Sequence, residues 1–247
     1  MTLTVTVLGC SGTYAAPGGA CTGYLVRGGG VNLLLDCGPG VLGNLQQHLP
    51  LRELDAVVVT HEHPDHCTEL GVLQNAWRYA LGREGLRVLG TAGTLAKIEG
   101  LSSDGTVAPT FAWSVVGDGA RAELGGLTVT FSRTDHPVET LAVRIDDAEG
   151  RSLAFSADTG PAWSFDRLGP GIHLGLCEAT FLAEREPEGI SHLSARQAGA
   201  MSRNAGVERL VITHHWPGDD LDAHRAEAEA AFGGPVEVAE LHATYVV

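Results

Sequence analysis

Thr60-His61-Glu62-His63-Pro64-Asp65-His66 is the stretch of sequence that decides both the fold and the chemistry of this chain. It directly follows the apolar run Ala56–Val59, which predicts a buried strand, so its polar residues lie on the loop that leaves this strand. Imidazole nitrogens and carboxylate oxygens gathered in this way suit zinc, manganese or iron far better than calcium or magnesium. The stretch therefore predicts a transition-metal site.

The metal-capable side chains of this stretch can reach one point in space. His61 and His63 are two residues apart, so in an extended chain their side chains point to the same face. The turn at Pro64 then brings Asp65 and His66 round beside them. A set of solvated loop histidines is the alternative interpretation, but so dense a cluster of ligand types argues against it.

Further metal-capable residues stand where other predicted strands end. They are His136 after Leu127–Arg133, Asp158 after Ser152–Ser156, and His214 after Leu210–Thr213. Any one of them alone is more commonly a capping or surface residue. Functional side chains are, however, typically held on loops at the ends of rigid strands, so the recurrence indicates that all three join the first cluster.

The rest of the chain alternates short strands with helices. The other predicted strands are Val5–Cys10, Val31–Asp36, Leu86–Leu89, Ala112–Val116, Leu141–Ile145 and Leu174–Glu178, and the predicted helices are Leu42–His48, Glu69–Leu81, Ser194–Asn204 and Leu221–Phe232. Ser194 is a candidate N-cap. With 247 residues and no internal repeat or long linker, we expect residues 1–247 to form a single domain of layered sheets and helices.

The composition limits the classes of partner. With 16 basic against 30 acidic residues, the net charge of −14 repels polyanions, and long nucleic acid would need a basic face. A small anionic substrate remains compatible, because bound metals reverse the potential inside a site.

The N-terminus and the cysteines bear on location. Thr2–Leu8 alternates like a strand rather than a signal peptide, and no apolar stretch approaches the roughly 20 residues of a membrane span. Five cysteines without a CxxC pair are typical of a reducing compartment. We therefore expect a cytoplasmic protein without membrane contact.

The chain resembles the metallo-β-lactamase superfamily in four features: the HxHxDH motif, the downstream histidine, the aspartate after a strand and the final histidine. The matching pattern runs from Leu8-Gly9-Cys10-Ser11-Gly12 to His214. The resemblance implies an α/β fold, a four-layer αββα sandwich with the site at one edge between the sheets. It implies two divalent metal ions, one bound by His61, His63 and His136, the other by Asp65, His66 and His214, with Asp158 bridging both. Zinc suits these ligands best, with manganese and iron as alternatives. Asp36 matches an aspartate that supports the metal loop from behind.

The details favour one branch of that superfamily. Asp158 stands where true β-lactamases typically have cysteine, and Asp135-His136-Pro137 differs from the glyoxalase II and lactonase pattern. Cys177–Phe181 and Ile190–Ser194 resemble the ribonuclease Z and phosphodiesterase branch. This resemblance implies that His192 lies beside the scissile phosphate and that Glu178 helps to orient it. Otherwise His192 simply starts a helix and Glu178 is a solvated carboxylate at a strand end.

The expected function is hydrolysis of a small phosphodiester. The interval from His136 to Asp158 is too short for the exosite arm of a ribonuclease Z, so the chain looks more like the compact bacterial cyclic-nucleotide phosphodiesterases. Asp65, His192 and Glu178 are the expected catalytic residues, Asp65 orienting the attacking water. The alternatives are a ribonuclease Z-like RNA 3′-processing nuclease, a lactonase, thioesterase or sulfatase on the same fold, and a non-enzymatic metal-binding module, which an open site disfavours.

Aromatic residues are candidates for a nucleobase wall. They are Trp77, Tyr79 and Trp216, with core packing the favoured role for Trp77. His215 shapes the pocket or is a bystander. The resemblance suggests a homodimer.

Overall fold

A computed structural model describes residues 2–189 and 191–247, and within them the strands form two sheets of seven. The first sheet contains, in spatial order, β14 (Thr244–Val246), β1 (Thr4–Gly9), β2 (Gly23–Gly28), β3 (Val31–Leu35), β4 (Ala56–Val58), β5 (Leu86–Gly90) and β6 (Phe111–Val115). The second contains β13 (Val236–Val238), β12 (Arg209–Thr213), β11 (Leu174–Glu178), β10 (Ser152–Phe155), β9 (Leu141–Asp147), β8 (Leu127–Arg133) and β7 (Arg121–Leu124).

The helices flank these sheets. They are α1 (Val41–Leu45), α2 (Pro64–Cys67), α3 (Glu69–Asn75), α4 (Ala92–Leu101), α5 (Ala195–Asn204) and α6 (Leu221–Phe232). A π-helical turn over Ala76–Ala80 extends α3, and short 3₁₀ turns cover Leu51–Glu53, Phe165–Leu168 and Ala183–Glu188. None of the helices in the described part of the chain has the length and apolarity that a bilayer crossing requires.

Side-chain alternation along the strands separates three apolar layers. Leu33 and Leu35 of β3 face the core between the two sheets, whereas Leu34 faces the core beneath α1, α3 and α4. In β12, Val211 likewise joins the inter-sheet core, whereas Ile212 packs towards α5 and α6. Successive residues of a strand point to opposite faces, so a strand covered on both sides must be apolar throughout. The layers therefore run helix, sheet, sheet, helix, which confirms the αββα sandwich.

The strand directions bring the ligand loops to one edge of the molecule. β10, β11 and β12 are parallel, and β8 runs in the same direction because both β8 and β10 are antiparallel to β9. The carboxyl ends of strands that run in the same direction meet at the same edge of a sheet, where open α/β sheets typically bind ligands.

The observed elements agree with the predicted ones where the hydrophobic pattern is strong. The strands Leu127–Arg133 and Leu174–Glu178 and the helix Leu221–Phe232 have the predicted bounds, whereas the helix predicted over Leu42–His48 ends at Leu45. The structure adds β2, α4, β7, β13 and β14. The last three are short edge strands whose pairing depends on a partner strand rather than on their own pattern.

The predicted cap of α5 is confirmed. The Ser194 hydroxyl accepts a hydrogen bond from the Gln197 amide at 3.0 Å, and the Gln197 side-chain oxygen accepts one from the Ser194 amide at 3.0 Å. This reciprocal capping box fixes the direction of the chain just after His192.

Close packing of α5 on α6 gives a first testable prediction. A Cβ on Gly199 would lie 2.4 Å from the Ala228 carbonyl oxygen, whereas a Cβ on Gly100 in α4 meets open space. We expect Gly199→Ala to lower the free energy of unfolding by about 1–3 kcal/mol through overpacking. Gly100→Ala, the matched control, should leave stability unchanged or raise it by up to about 1 kcal/mol. Urea unfolding followed by circular dichroism measures both, and an undiminished stability of Gly199→Ala would contradict the packing described.

Candidate metal centre

The predicted ligand loops meet in two neighbouring groups. In each group, the atoms able to bind a metal lie within 4.8 Å of one another. One group consists of His61, His63, His136 and Asp158, and the other of Asp65, His66 and His214. A third combination, of His192 with Asp158 and His214, overlaps both groups. The structure therefore brings together every metal-capable residue that the sequence singled out, in the grouping that the family resemblance implied.

Close approaches between ligand atoms define the first group. His136 Nε2 lies 3.2 Å from His63 Nδ1, and His61 Nε2 lies 3.5 Å from Asp158 Oδ2. His61 is completely buried, and only His63 of this group is partly exposed. The group is thus built inside the protein and open to solvent on one side.

The second group shares Asp158 with the first. His66 Nε2 and His214 Nε2 are 3.3 Å apart, and they lie 3.7 and 3.4 Å from Asp65 Oδ2. The other oxygen of Asp158, Oδ1, lies 3.2 Å from His66 Nε2 and 3.3 Å from His214 Nε2. The two oxygens of Asp158 therefore face different groups, which is the position that a bridging carboxylate requires.

Asp36 fixes the tautomers of two histidines from behind. Its Oδ2 lies 2.8 Å from His66 Nδ1 and accepts a 2.9 Å hydrogen bond from the Thr60 hydroxyl. Because Thr60 gives its only proton to Asp36, its oxygen accepts from His61 Nδ1 at 3.0 Å. In their neutral forms, both imidazoles therefore direct the Nε2 lone pair into the site.

Two buried acceptors of the resulting site lack a donor in the part of the chain that the structure describes. His61 Nε2 and Asp158 Oδ1 are buried and have no hydrogen-bond partner among the described residues. An unsatisfied buried polar group costs about 1–3 kcal/mol, so an arrangement of several is stable only when something positive lies between them. The donor set of imidazole nitrogen and carboxylate oxygen therefore fits a divalent metal.

The electrostatics differ between the two groups, because protonation is opposed at His61 and favoured at His66. Burial and the neighbouring His66 lower the pKa of His61 to about 3, so this imidazole is neutral and its Nε2 lone pair is available. Burial disfavours the charged form of Asp158, but His214, His66 and His61 outweigh this effect and hold its pKa well below the usual range. Burial likewise disfavours protonated His66, yet Asp158 and Asp36 raise its pKa well above the usual value. The carboxylates around His66 therefore stabilise either a proton or a metal cation in the second group.

Backbone strain is concentrated around the same site. Among the described residues, those other than glycine with positive φ include Asp36 (60°), Ala157 (51°), His214 (63°) and Thr13 (63°). Such conformations cost on the order of 1–3 kcal/mol each and persist only where the surrounding structure imposes them. Here these conformations lie at the candidate ligand His214 and at residues that adjoin or hydrogen-bond candidate ligands.

Glu178 and His192 adjoin the second group. Glu178 is fully buried, and its carboxylate lies 2.9 Å from His192 Nδ1 and accepts backbone hydrogen bonds from Thr159 (2.7 Å) and Leu193 (3.2 Å). The interpretation as a solvated carboxylate at a strand end is therefore wrong. Burial opposes protonation of His192, but Glu178 raises its pKa to about 9. The His192 ring stacks on that of His214, with centroids 5.4 Å apart.

The aromatic candidates have separate surroundings. Trp77 is buried in the core beneath the helices, which confirms the predicted packing role, and Tyr79 is exposed. Trp216 packs edge-on against Phe181 at 5.2 Å, and the Arg185 guanidinium lies over both rings. His215 is buried, and this burial lowers its pKa to about 4.

The loop after β1 is a part of the site that sequence reasoning missed. The Thr13 amide donates a 2.7 Å hydrogen bond to Asp65 Oδ2, and Gly12 packs against the His214 ring. Gly12 follows the first predicted strand, but nothing in the sequence showed which residues this loop contacts.

A buried group of imidazole and carboxylate ligands, at the strand ends of an αββα sandwich, defines a metal-dependent hydrolase. The chain belongs to the superfamily described as "Beta-lactamase superfamily domain", whose pattern matches residues 31–215.

Named relatives cover nearly the whole chain. The chain is 34% identical to uncharacterized protein Rv1339 of Mycobacterium tuberculosis, over 98% of this chain and 92% of that protein. It is 33% identical to YhfI of Bacillus subtilis, named a probable metallo-hydrolase, over 96% of each. It is 31% identical to ribonuclease Z of Mycobacterium bovis, over 97% of each. These relatives agree with the ribonuclease Z and phosphodiesterase branch.

Solved structures show the same fold. The crystal structure of YhfI superposes with a TM-score of 0.88 at 29% identity, over 98% of each chain. The short form of human tRNase Z superposes with a TM-score of 0.79 at 18% identity, over 99% of each chain, and supports the fold alone.

The contact between Gly12 and His214 gives a second prediction. A Cβ on Gly12 would lie 2.8 Å from His214 Nδ1, so Gly12→Ala must displace this imidazole. We expect metal affinity to fall by about 10–100-fold, as for other changes that misorient a ligand. Chelator competition measures the affinity. Gly43→Ala, where a Cβ meets nothing within 4 Å, is the control. Equal metal affinity in both variants would contradict the role assigned to the loop.

Proposed function

We propose that the protein is a phosphodiesterase that acts on a small nucleotide, such as a cyclic nucleotide, with two divalent metal ions. The observation that carries this proposal is the Glu178–His192 pair, held at 2.9 Å beside Asp158 and His214. A positioned general acid that protonates the leaving oxygen accelerates such a cleavage beyond what metal ions supply.

The proposed ligand sets follow the two groups of the structure. His61, His63 and His136 would hold one ion, Asp65, His66 and His214 the other, and Asp158 would bridge them. Zinc is the ion we propose, with manganese or iron as alternatives. When bound, two such ions lower the pKa of a water molecule towards neutrality and neutralise charge on a phosphoryl group.

Asp65 would orient the attacking water and accept its proton. Its Oδ2 is fixed by the Thr13 amide, so the carboxylate cannot rotate freely. Immobilising an acceptor in this way reduces the reorganisation that the reaction requires.

His192 would bind the phosphate and protonate the leaving oxygen. Glu178 holds its Nδ1, which leaves Nε2 as the donor for substrate. A carboxylate behind an imidazole both orients the ring and stabilises its charged form, so His192 can act as a general acid.

The space beside His192 suits a small substrate. A cavity of about 280 Å³ is lined by His192, Phe181, Arg185 and Gln197 among others, close to the lower end of small-molecule pockets. Between His136 and Asp158 the chain forms only β9, β10 and their connections, which leaves no room for an RNA-binding arm. The net charge of −14 also disfavours long nucleic acid.

Metal removal and substrate choice give a third prediction. The purified protein should hold two equivalents of metal, lose activity on chelation, and hydrolyse bis(p-nitrophenyl) phosphate and cAMP. His61→Ala should be inactive. Cleavage of precursor tRNA without turnover of cAMP would instead support the activity named for the ribonuclease Z relative, and metal binding without turnover of any ester would favour a binding module.

The role of His192 gives a fourth prediction. His192→Ala should lower turnover by about 10²–10⁴-fold, because a general acid is removed, while metal content stays at the wild-type value. His48→Ala serves as control, since His48 pairs with His242 rather than with the metal-site residues. Loss of metal from His192→Ala would show that His192 is a ligand instead.

A further inference from the structure

Thr180 lies two residues beyond β11 and is buried with 1% exposure. Its hydroxyl donates a 2.7 Å hydrogen bond to Glu178 Oε2, and the same oxygen lies 2.9 Å from His214 Nδ1. The single proton of the hydroxyl is donated in the hydrogen bond to Glu178, so the Thr180 oxygen must accept a hydrogen bond from His214. This hydrogen bond places the proton of His214 on Nδ1.

The arrangement repeats the one on the opposite sheet. There the Thr60 hydroxyl donates to Asp36 and accepts from His61 Nδ1. Each carboxylate also holds one further histidine directly, Asp36 at 2.8 Å and Glu178 at 2.9 Å. Each sheet thus contributes one buried carboxylate that orients one imidazole directly and a second one through a threonine hydroxyl.

We propose that Thr180 is a positioning residue that holds His214 in the tautomer able to bind metal and couples it, through Glu178, to His192. This inference rests on the metal centre of the proposed function. A neutral imidazole without a partner on Nδ1 is free to carry its proton on Nε2, which would point a hydrogen instead of a lone pair at Asp65 and Asp158. Thr180 removes that freedom.

The role of Thr180 differs from mere packing because it depends on the hydroxyl. Thr180→Val keeps the shape of the side chain but removes both the donor to Glu178 and the acceptor for His214. Thr180→Ser keeps the hydroxyl and loses a methyl group. Thr110→Val is the matched control, because the Thr110 hydroxyl is buried and has no partner among the described residues.

The first measurement is metal affinity by chelator competition. We expect Thr180→Val to bind metal about 10–100-fold more weakly than the wild type, as for other losses of a partner behind a ligand. Thr180→Ser should restore most of the affinity, and Thr110→Val should match the wild type. Affinity of Thr180→Val within twofold of the Thr110→Val control would overturn the proposal.

The second measurement needs neither metal nor substrate. In metal-free protein labelled with ¹⁵N-histidine, the His214 nitrogen shifts should show the proton on Nδ1 in the wild type and in Thr180→Ser, and a mixture of tautomers in Thr180→Val. A proton on Nε2 in the wild type would overturn the proposal, even if Thr180→Val fails to fold. If the wild type bound no metal, the proposed function would fail, and the tautomer would still decide the role of Thr180.

Discussion

Imidazole nitrogens and carboxylate oxygens that converge in one small buried volume are the constraint on which the rest of this structure depends. The lone pairs of His61, His66 and His214 and the carboxylate oxygens of Asp65 and Asp158 share a small buried volume. Such a cluster is repulsive without positive charge at its centre, and either a proton or a divalent cation reverses the sign of the interaction. The strained backbone at Ala157 and His214 is tolerated because a rigid surround holds it in place.

The αββα sandwich satisfies this constraint because it presents strand ends from both sheets along one edge. The first sheet supplies the loop from His61 to His66, and the second supplies His136, Asp158 and His214. Inter-sheet packing through residues such as Phe131 and Leu176 sets the separation of the two halves. A packed interior does not deform continuously, so the ligand positions are held to a narrow range.

The same fold carries many reactions, and the side chains around the candidate metal site decide among them. In this chain the distinguishing group is the buried Glu178 with His192, which adds a hydrogen-bond donor at the side of the site nearest His214. The net negative charge and the small cavity agree with the proposed function, because both disfavour a long polyanion.

The sequence by itself determined the metal-capable residues, the longer strands and helices, and the layered fold, because side-chain chemistry and hydrophobic periodicity are local properties of the chain. The HxHxDH stretch and the strand-end positions of His136, Asp158 and His214 were readable in this way. Only the tertiary structure decided that Glu178 is buried and that Thr180 and the loop at Gly12 touch His214. The physical reason is that a hydrogen bond depends on its partner, and His214 lies 34 residues from Thr180 along the chain. The short edge strands β13 and β14 could not be predicted from the sequence for the same reason, because a strand of three residues is stabilised mainly by the neighbouring strand with which it pairs.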